Sequence, residues 1–296
     1  MVVSIVVCTR NRADSLRKTL ASLAAASVPA GMELDVLVID NGSTDQTMAV
    51  VEDARAALKN VRLEQEKRQG VANARTRALR LVKGEIILWT DDDVTVPPDW
   101  IDGMTRPILQ GEFDAVAGGV RLGKGRERSW MGTCHRSWLA SSEGLNAKKP
   151  GRMIGANMAF HRRVLAKVDR FDSQLGPGAL GMGEETLFSY QLESAGFRLG
   201  AALDVVVEHD FDEGRLNRTS FERIAKAMGR SEAYIAYHWH GVDARDRYWR
   251  VLDAYLRWIS WCVRGWFVRG VPNGLLERRL QAYSRIAYWR WFVESA

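Results

Sequence analysis

Glu85-Ile86-Ile87-Leu88-Trp89-Thr90-Asp91-Asp92-Asp93 decides how the rest of this chain is read. Residues 85–90 are a short apolar run of the kind that forms a strand buried on both faces, and it ends in three consecutive carboxylates. Adjacent Asp side chains repel one another, and loss of water deepens the repulsion, so the trio needs a cation or abundant water. Asp offers short, hard oxygen donors that suit Mg²⁺ or Mn²⁺, and Mg²⁺ is usually held by one or two carboxylates together with substrate phosphates. The trio suggests a strand end where a metal clamps a diphosphate. A solvated acidic turn, helped by Pro97-Pro98 just beyond it, is the competing reading.

Outward from this strand the same pattern repeats. Val2–Cys8 is a β-branched run and Glu33–Ile39 a second one. Val61–Gln65 is a third, and Glu85–Thr90 is the fourth. Between them, Asp14–Ala25 has helical spacing (Leu16, Leu20, Leu23), residues 45–58 follow a turn rich in helix-capping side chains, and Val71–Lys83 is a third helix. The order βαβαβαβ predicts a doubly wound, mostly parallel α/β sheet. Ligands on such sheets bind beyond the carboxyl ends of the strands, where Cys8-Thr9-Arg10, Asp40 and Asp91–Asp93 all fall. Beyond residue 100 the pattern is mixed: a strand over 114–122, an irregular basic stretch over 124–151, helices over 162–168 and 184–196, and a strand over 203–208. From Ser220 onward it is almost wholly helical. The expected organisation is an α/β domain over 1–219, in two halves (1–100 and 101–219), followed by a helical extension over 220–296.

Three scattered cysteines (Cys8, Cys134, Cys262) lack metal-ligand spacing and suggest reduced thiols in a cytosolic protein. Met1 leads directly into a strand, so no cleavable leader is expected. No apolar run approaches bilayer-spanning length. Residues 247–296 hold nine Arg against three acids, a surplus equal to the whole chain's net charge of +6. The remaining 246 residues are therefore neutral, which argues against nucleic-acid binding by the body.

These segments together resemble the family 2 glycosyltransferases of the GT-A fold. Ser4-Ile5-Val6-Val7-Cys8-Thr9-Arg10-Asn11-Arg12 resembles the family's first strand and nucleotide-contacting turn. Val38-Ile39-Asp40-Asn41-Gly42-Ser43-Thr44-Asp45 is similar to its second-strand motif, with Asn41 replacing the usual second acid. Gly70-Val71-Ala72-Asn73-Ala74-Arg75 resembles the segment that lies along the nucleoside, and Asp91-Asp92-Asp93 matches the metal-binding DxD position. Gly155-Ala156-Asn157-Met158-Ala159-Phe160 and Phe171-Asp172 resemble the acceptor-side half. Gly183-Glu184-Glu185-Thr186-Leu187-Phe188 falls where the family usually has Glu-Asp. The matches run in order over roughly residues 3–210.

The resemblance implies a metal-dependent, inverting transfer of a sugar from a nucleotide-sugar donor, expected to be UDP-linked, to a hydroxyl of a glycan or lipid-linked acceptor. It implies nucleotide contacts from Thr9, Arg10, Asn11, Asp40, Asn41, Gly42, Ala72, Arg75, Asp91 and Asp92. Mg²⁺ or Mn²⁺ is expected on Asp93 and Asp91 with His209, and the acceptor near Gly155, Asn157 and Trp130. The catalytic base is expected at Glu185, with Glu184 as the alternative. Each residue also has a plainer use: Asp40 as a helix cap or Asx turn, Arg75 with Arg77 and Arg80 as a solvated helix face, Glu184 and Glu185 as acids complementing a helix dipole.

Arg250, Arg257 and Arg264 recur every seven residues in an otherwise apolar, Trp-rich stretch, and Tyr288–Phe292 has a similar character. Such helices suit a membrane surface, which would place the protein peripherally at the inner face of the cell membrane. A homodimer interface is the other use. Two further classes compete: a non-catalytic membrane-bound scaffold, favoured only by Glu185 in place of Asp, and a nucleotidyltransferase, disfavoured because Thr9-Arg10-Asn11-Arg12 contains no Gly.

Overall fold

The computed structural model describes residues 1–272 and 274–295. The chain forms two compact units. The first comprises residues 1–126, 139–173 and 184–211; the second comprises residues 127–138, 174–183 and 212–296. The second unit thus takes in three stretches from the range expected for the first domain, residues 127–138, 174–183 and 212–219, besides the C-terminal helices.

One eight-stranded sheet organises the first unit. Its strands are β1 (Val2–Thr9), β2 (Glu33–Asp40), β3 (Val61–Gln65), β4 (Ile86–Asp91), β5 (Val94–Thr95), β6 (Ala115–Leu122), β7 (Met158–His161) and β8 (Leu199–His209). Their spatial order is β3-β2-β1-β4-β7-β6-β8-β5. The first four strands in that order are parallel, as the alternating pattern predicts. Beyond β4 the sheet is mixed: β7 runs antiparallel to both β4 and β6, and β5 runs antiparallel to β8. Helices α1 (Ala13–Ala25), α2 (Thr47–Ala54), α3 (Val71–Leu81), α4 (Trp100–Leu109) and α6 (Glu184–Ser194) belong to the same unit, while α5 (Thr133–Trp138) lies in the other. α2 is shorter than expected at both ends; at its start Asp45 turns the chain, accepting bonds from the Thr47 amide and hydroxyl.

Side-chain alternation along β1 explains the layering. Val3, Ile5 and Val7 face one apolar layer with α1 and α4 residues such as Leu16, Leu20, Ile101 and Met104. Val6 faces the other, with Ala74 and Ala78 of α3 and Phe188 and Leu192 of α6. Both faces of the central strands are therefore dry, which is why they read as continuous apolar runs.

Asn157 corrects an expectation. The resemblance sets it near the acceptor, but it is fully buried and its amide is committed. Nδ2 donates to the Gly119 and Val205 carbonyls, each at 2.9 Å, and Oδ1 accepts from the Trp100 indole at 2.9 Å. It ties together the mixed half of the sheet. Asn157→Leu would strand two carbonyls and an indole N–H, and is expected to lower stability by about 3 kcal/mol in urea unfolding.

In the second unit, α7 (Arg218–His238), α8 (Arg247–Gly265) and α9 (Glu277–Glu294) pack together. α7 crosses α9 closely at Gly229, where a Cβ would stand 2.0 Å from the Ser284 carbonyl oxygen. Tyr288, Trp289, Trp291 and Phe292 are buried in this unit's core. The membrane character expected of Tyr288–Phe292 is thus corrected: their apolar surface is used inside the protein.

Candidate active site

Register brings three parallel strand ends into one row. Thr9 at the end of β1 is the cross-strand partner of Asp40 on β2, and Cys8 is the partner of Asp91 on β4. Polar side chains that are far apart in sequence therefore share one edge of the sheet, at its carboxyl ends.

The acidic trio is divided by its surroundings. Asp92 points back into the turn after β1: Oδ2 accepts from the Thr9 hydroxyl at 2.7 Å and Oδ1 from Arg12 Nη1 at 2.9 Å. Arg12 Nη1 also reaches Asp93 Oδ2 at 2.7 Å. Burial pushes the Asp92 carboxyl upward and Asp93 adds to that, while Arg12 opposes it. Arg12 was not among the expected site residues. The signal was present as charge balance, since three carboxylates require a cation and Arg12 supplies part of it. Asp91 is the most open of the three, with about a third of its side chain exposed.

Asp93 also meets His209, whose Nε2 lies 3.2 Å from Oδ1. The pairing of β5 with β8 causes this, because His209 is the cross-strand partner of Val94 and the Asp210 amide donates to the Asp93 carbonyl. His209 Nδ1 lies 2.8 Å from the Leu139 carbonyl oxygen. A carbonyl only accepts, so Nδ1 carries a proton, and Nε2 is the ring nitrogen turned toward Asp93. A carboxylate oxygen and a ring nitrogen at this distance share either a proton or a cation. A backbone carbonyl holding the far nitrogen is the usual support of a metal-ligating His. Among the described residues, no three Asp, Glu, His or Cys side chains converge as a complete metal cage. A divalent ion that takes part of its shell from phosphates needs fewer protein ligands; Asp93 and His209 are the pair that face one another, and Asp91 ends the strand just before them.

A second ion-pair centre lies around Arg75 on α3. Its guanidinium is buried, 3.0 Å from Glu184 Oε1, 3.4 Å from Asp91 Oδ1 and 3.9 Å from Glu185 Oε2. It also lies over the rings of Trp89 and Phe171. Gly155 makes room for it, since a Cβ there would stand 2.2 Å from Nη2. Gly155 therefore acts by leaving space for Arg75, and Arg75 is no solvated helix-face residue. Burial pushes the Glu184 carboxyl well up; Glu185 adds to the rise and Arg75 opposes it. Glu185 differs: its side chain is about a fifth exposed and Oε2 accepts no hydrogen bond. Arg75→Met would leave Glu184 and Asp91 without their buried cation. It is expected to cost about 3–5 kcal/mol in chemical unfolding, and Arg75→Lys, with a single point charge, is expected to recover only part of that.

Several residues expected to contact the nucleotide also hold the local turns in place. Asn41 donates to the Glu66 and Arg68 carbonyls and accepts from the Gly70 amide, pinning that loop to the end of β2. Ala72 is buried in the apolar layer beneath the sheet. Asp40, also buried, accepts from the Ser43 amide in an Asx-type turn, and Gly42 follows it with φ +82°. Asn11, itself at φ 52°, accepts from the Thr44 amide and donates its own amide to Ser43 Oγ, joining the turns after β1 and β2. Arg10 is exposed beside it. Trp130 belongs to the second unit, where its ring meets His135 and Phe221 edge-on.

Comparison with known proteins gives concordant results. The family model described as Glycosyl transferase family 2 matches residues 4–169. The succinoglycan biosynthesis protein ExoM of Rhizobium meliloti is 30% identical over 235 residues, covering 77% of this chain and 72% of that protein. A glucosyl-dolichyl phosphate glucuronosyltransferase of Haloferax volcanii is 26% identical over 188 residues, covering 60% of this chain. The aligned region spans 58% of that relative's length. Among solved structures, a mannosyltransferase from Pyrobaculum calidifontis, in complex with GDP-Man and Mn²⁺, superposes with a TM-score of 0.60 at 19% identity, covering 99% of this chain and 70% of that one.

Proposed function

Since the chain belongs to glycosyl transferase family 2 and its sheet is of the GT-A type, we propose that it transfers a sugar from a nucleoside diphosphate donor to a hydroxyl of a glycan or lipid-linked glycan. The observation that carries this reading is the row of Thr9, Asp40 and Asp91 at adjacent parallel strand ends, with Asp93 held against His209. The names of the relatives, one a succinoglycan biosynthesis protein and one a glucosyl-dolichyl phosphate glucuronosyltransferase, support an acceptor of this class.

In this reading the donor's diphosphate lies at Asp91 and Asp93, with the uridine end toward Asp40 and the turn after β1. Mg²⁺ or Mn²⁺ held by Asp93 and Asp91 with His209 would neutralise the departing diphosphate as a Lewis acid. Arg12 holds Asp92 and Asp93 in position, so the carboxylates do not have to be gathered when the donor arrives. The acceptor oxygen attacks the anomeric carbon as the bond to the diphosphate oxygen breaks, with inversion. Glu185 takes the acceptor's proton: it is the more exposed of the two glutamates, and its Oε2 accepts no hydrogen bond and stands 3.9 Å from Arg75. Glu184, buried against Arg75, fixes that guanidinium and is assigned a positioning role. A lipid-linked acceptor puts the reaction at a membrane surface, with the chain peripheral to the inner face. Among the described residues, no helix is long and apolar enough to cross a membrane.

Calorimetry with UDP, GDP and dTDP, each with Mn²⁺ and with EDTA, tests the donor site. Metal-dependent UDP binding is expected. Preference for another nucleotide would keep the reaction class and overturn the uridine assignment. Absence of metal-dependent binding for all three would overturn the site.

A further inference from the structure

α8 is apolar on two sides, and only one of them is used inside the protein. Ala254 is buried, and Val251, Tyr255 and Trp258 pack with the core of the second unit. The opposite stripe is Trp249, Leu252, Leu256, Ile259, Val263 and Trp266, spaced alternately by three and four residues. All six are exposed, Trp249 at 75% and Trp266 at 84%, and Phe267 just beyond the helix is exposed at 83%. A continuous apolar seam of this length facing water marks a docking surface.

The charges identify its occupant. Residues 247–269 contain five Arg and a single acid, Asp253. Arg250, Arg257 and Arg264 form a strip along one margin of the seam, between it and the packed face. Arg250 stacks on the Trp289 ring and Arg264 on the Trp261 ring. A second copy laid seam to seam would bring the same positive surplus against itself. An anionic lipid surface complements it instead. Aromatic side chains at both ends of the seam and long cationic side chains at its edge are the arrangement of a helix lying in a bilayer interface, where Arg stems run over apolar surface and their heads reach phosphate. We infer that the outer stripe of α8, and not the Trp-rich α9, lies in the headgroup region of an anionic membrane, parallel to its plane.

Flotation of the purified full chain with vesicles tests this independently of sugar transfer, because the vesicles contain no acceptor. Binding to phosphatidylcholine vesicles rich in phosphatidylglycerol is expected to exceed binding to phosphatidylcholine alone by about tenfold or more, and to fall as salt is raised. Trp249→Ser/Leu256→Ser/Trp266→Ser is expected to reduce it by at least about tenfold. Arg257→Gln/Arg264→Gln, which leaves the apolar seam intact, is expected to weaken it and flatten the salt dependence. UDP calorimetry on both variants reports on the donor site and keeps a failed fold from being read as lost lipid binding. Wild-type protein that does not float with anionic vesicles overturns the inference. So does a concentration-dependent dimer in sedimentation velocity that the triple variant dissociates, which would make the seam a contact between copies.

Discussion

Asp93→Asn is expected to reduce sugar transfer by on the order of 10²–10³-fold and to remove the metal dependence of nucleoside diphosphate binding. The reason is the position of its two oxygens. Oδ2 lies 2.7 Å from Arg12, and Oδ1 lies 3.2 Å from His209. An amide keeps the shape but presents one neutral acceptor and a donor, so it no longer matches a cation beside His209. The fold should survive, because Arg12 keeps its bond to Asp92 and the Asp93 carbonyl still accepts from the Asp210 amide. Initial rates and calorimetry with Mn²⁺ and with EDTA, together with thermal unfolding, separate these effects. Full turnover of the variant with metal present would sink the proposed site.

Glu185→Gln is expected to lower kcat by roughly 10²–10⁴-fold while leaving donor binding near wild type. Removing a base affects the transition state and not the ground-state contacts of the nucleotide, so kcat and kcat/KM should fall together. Glu184→Gln provides the contrast. Its side chain is buried against Arg75 at 3.0 Å, so neutralising it disturbs the guanidinium that also faces Asp91. That variant is expected to change donor affinity and stability as well as rate. Equal losses of kcat, with unchanged donor binding, in both variants would return the assignment of the base to an open choice. A larger kcat loss in Glu184→Gln than in Glu185→Gln would reverse it.

The two adjacent glutamates show where sequence reading stops. Both fall at the start of α6, and both are short of a partner in the sequence. Their difference arises from Arg75 on α3, which lies opposite Glu184 because Gly155 leaves space for its head group. The same holds for Asp92, which reads as a ligand-facing carboxylate until Thr9 and Arg12 are seen to occupy it. Asn41 and Asn157 stand at motif positions, yet their amides are saturated by backbone groups and, for Asn157, the Trp100 indole. A motif identifies a residue type at a chain position. It does not say toward which neighbour the side chain is directed.

The alternation of strands and helices through residue 91, the parallel order it implies and the polar residues at the strand ends were legible in the sequence by itself. They depend on local quantities: β-branched runs, helical spacing and turn residues, each read within a short window. The mixed half of the sheet, the pairing of β5 with β8 that brings His209 to Asp93, and the choice of Arg12 as partner of the acidic trio were decided only by the tertiary structure. So was the division of the Trp-rich C-terminal segment into a buried α9 and an exposed seam on α8. Both α8 and α9 are apolar enough to be buried. Which face is covered depends on what packs against it, and that is a property of contacts between segments remote in the chain.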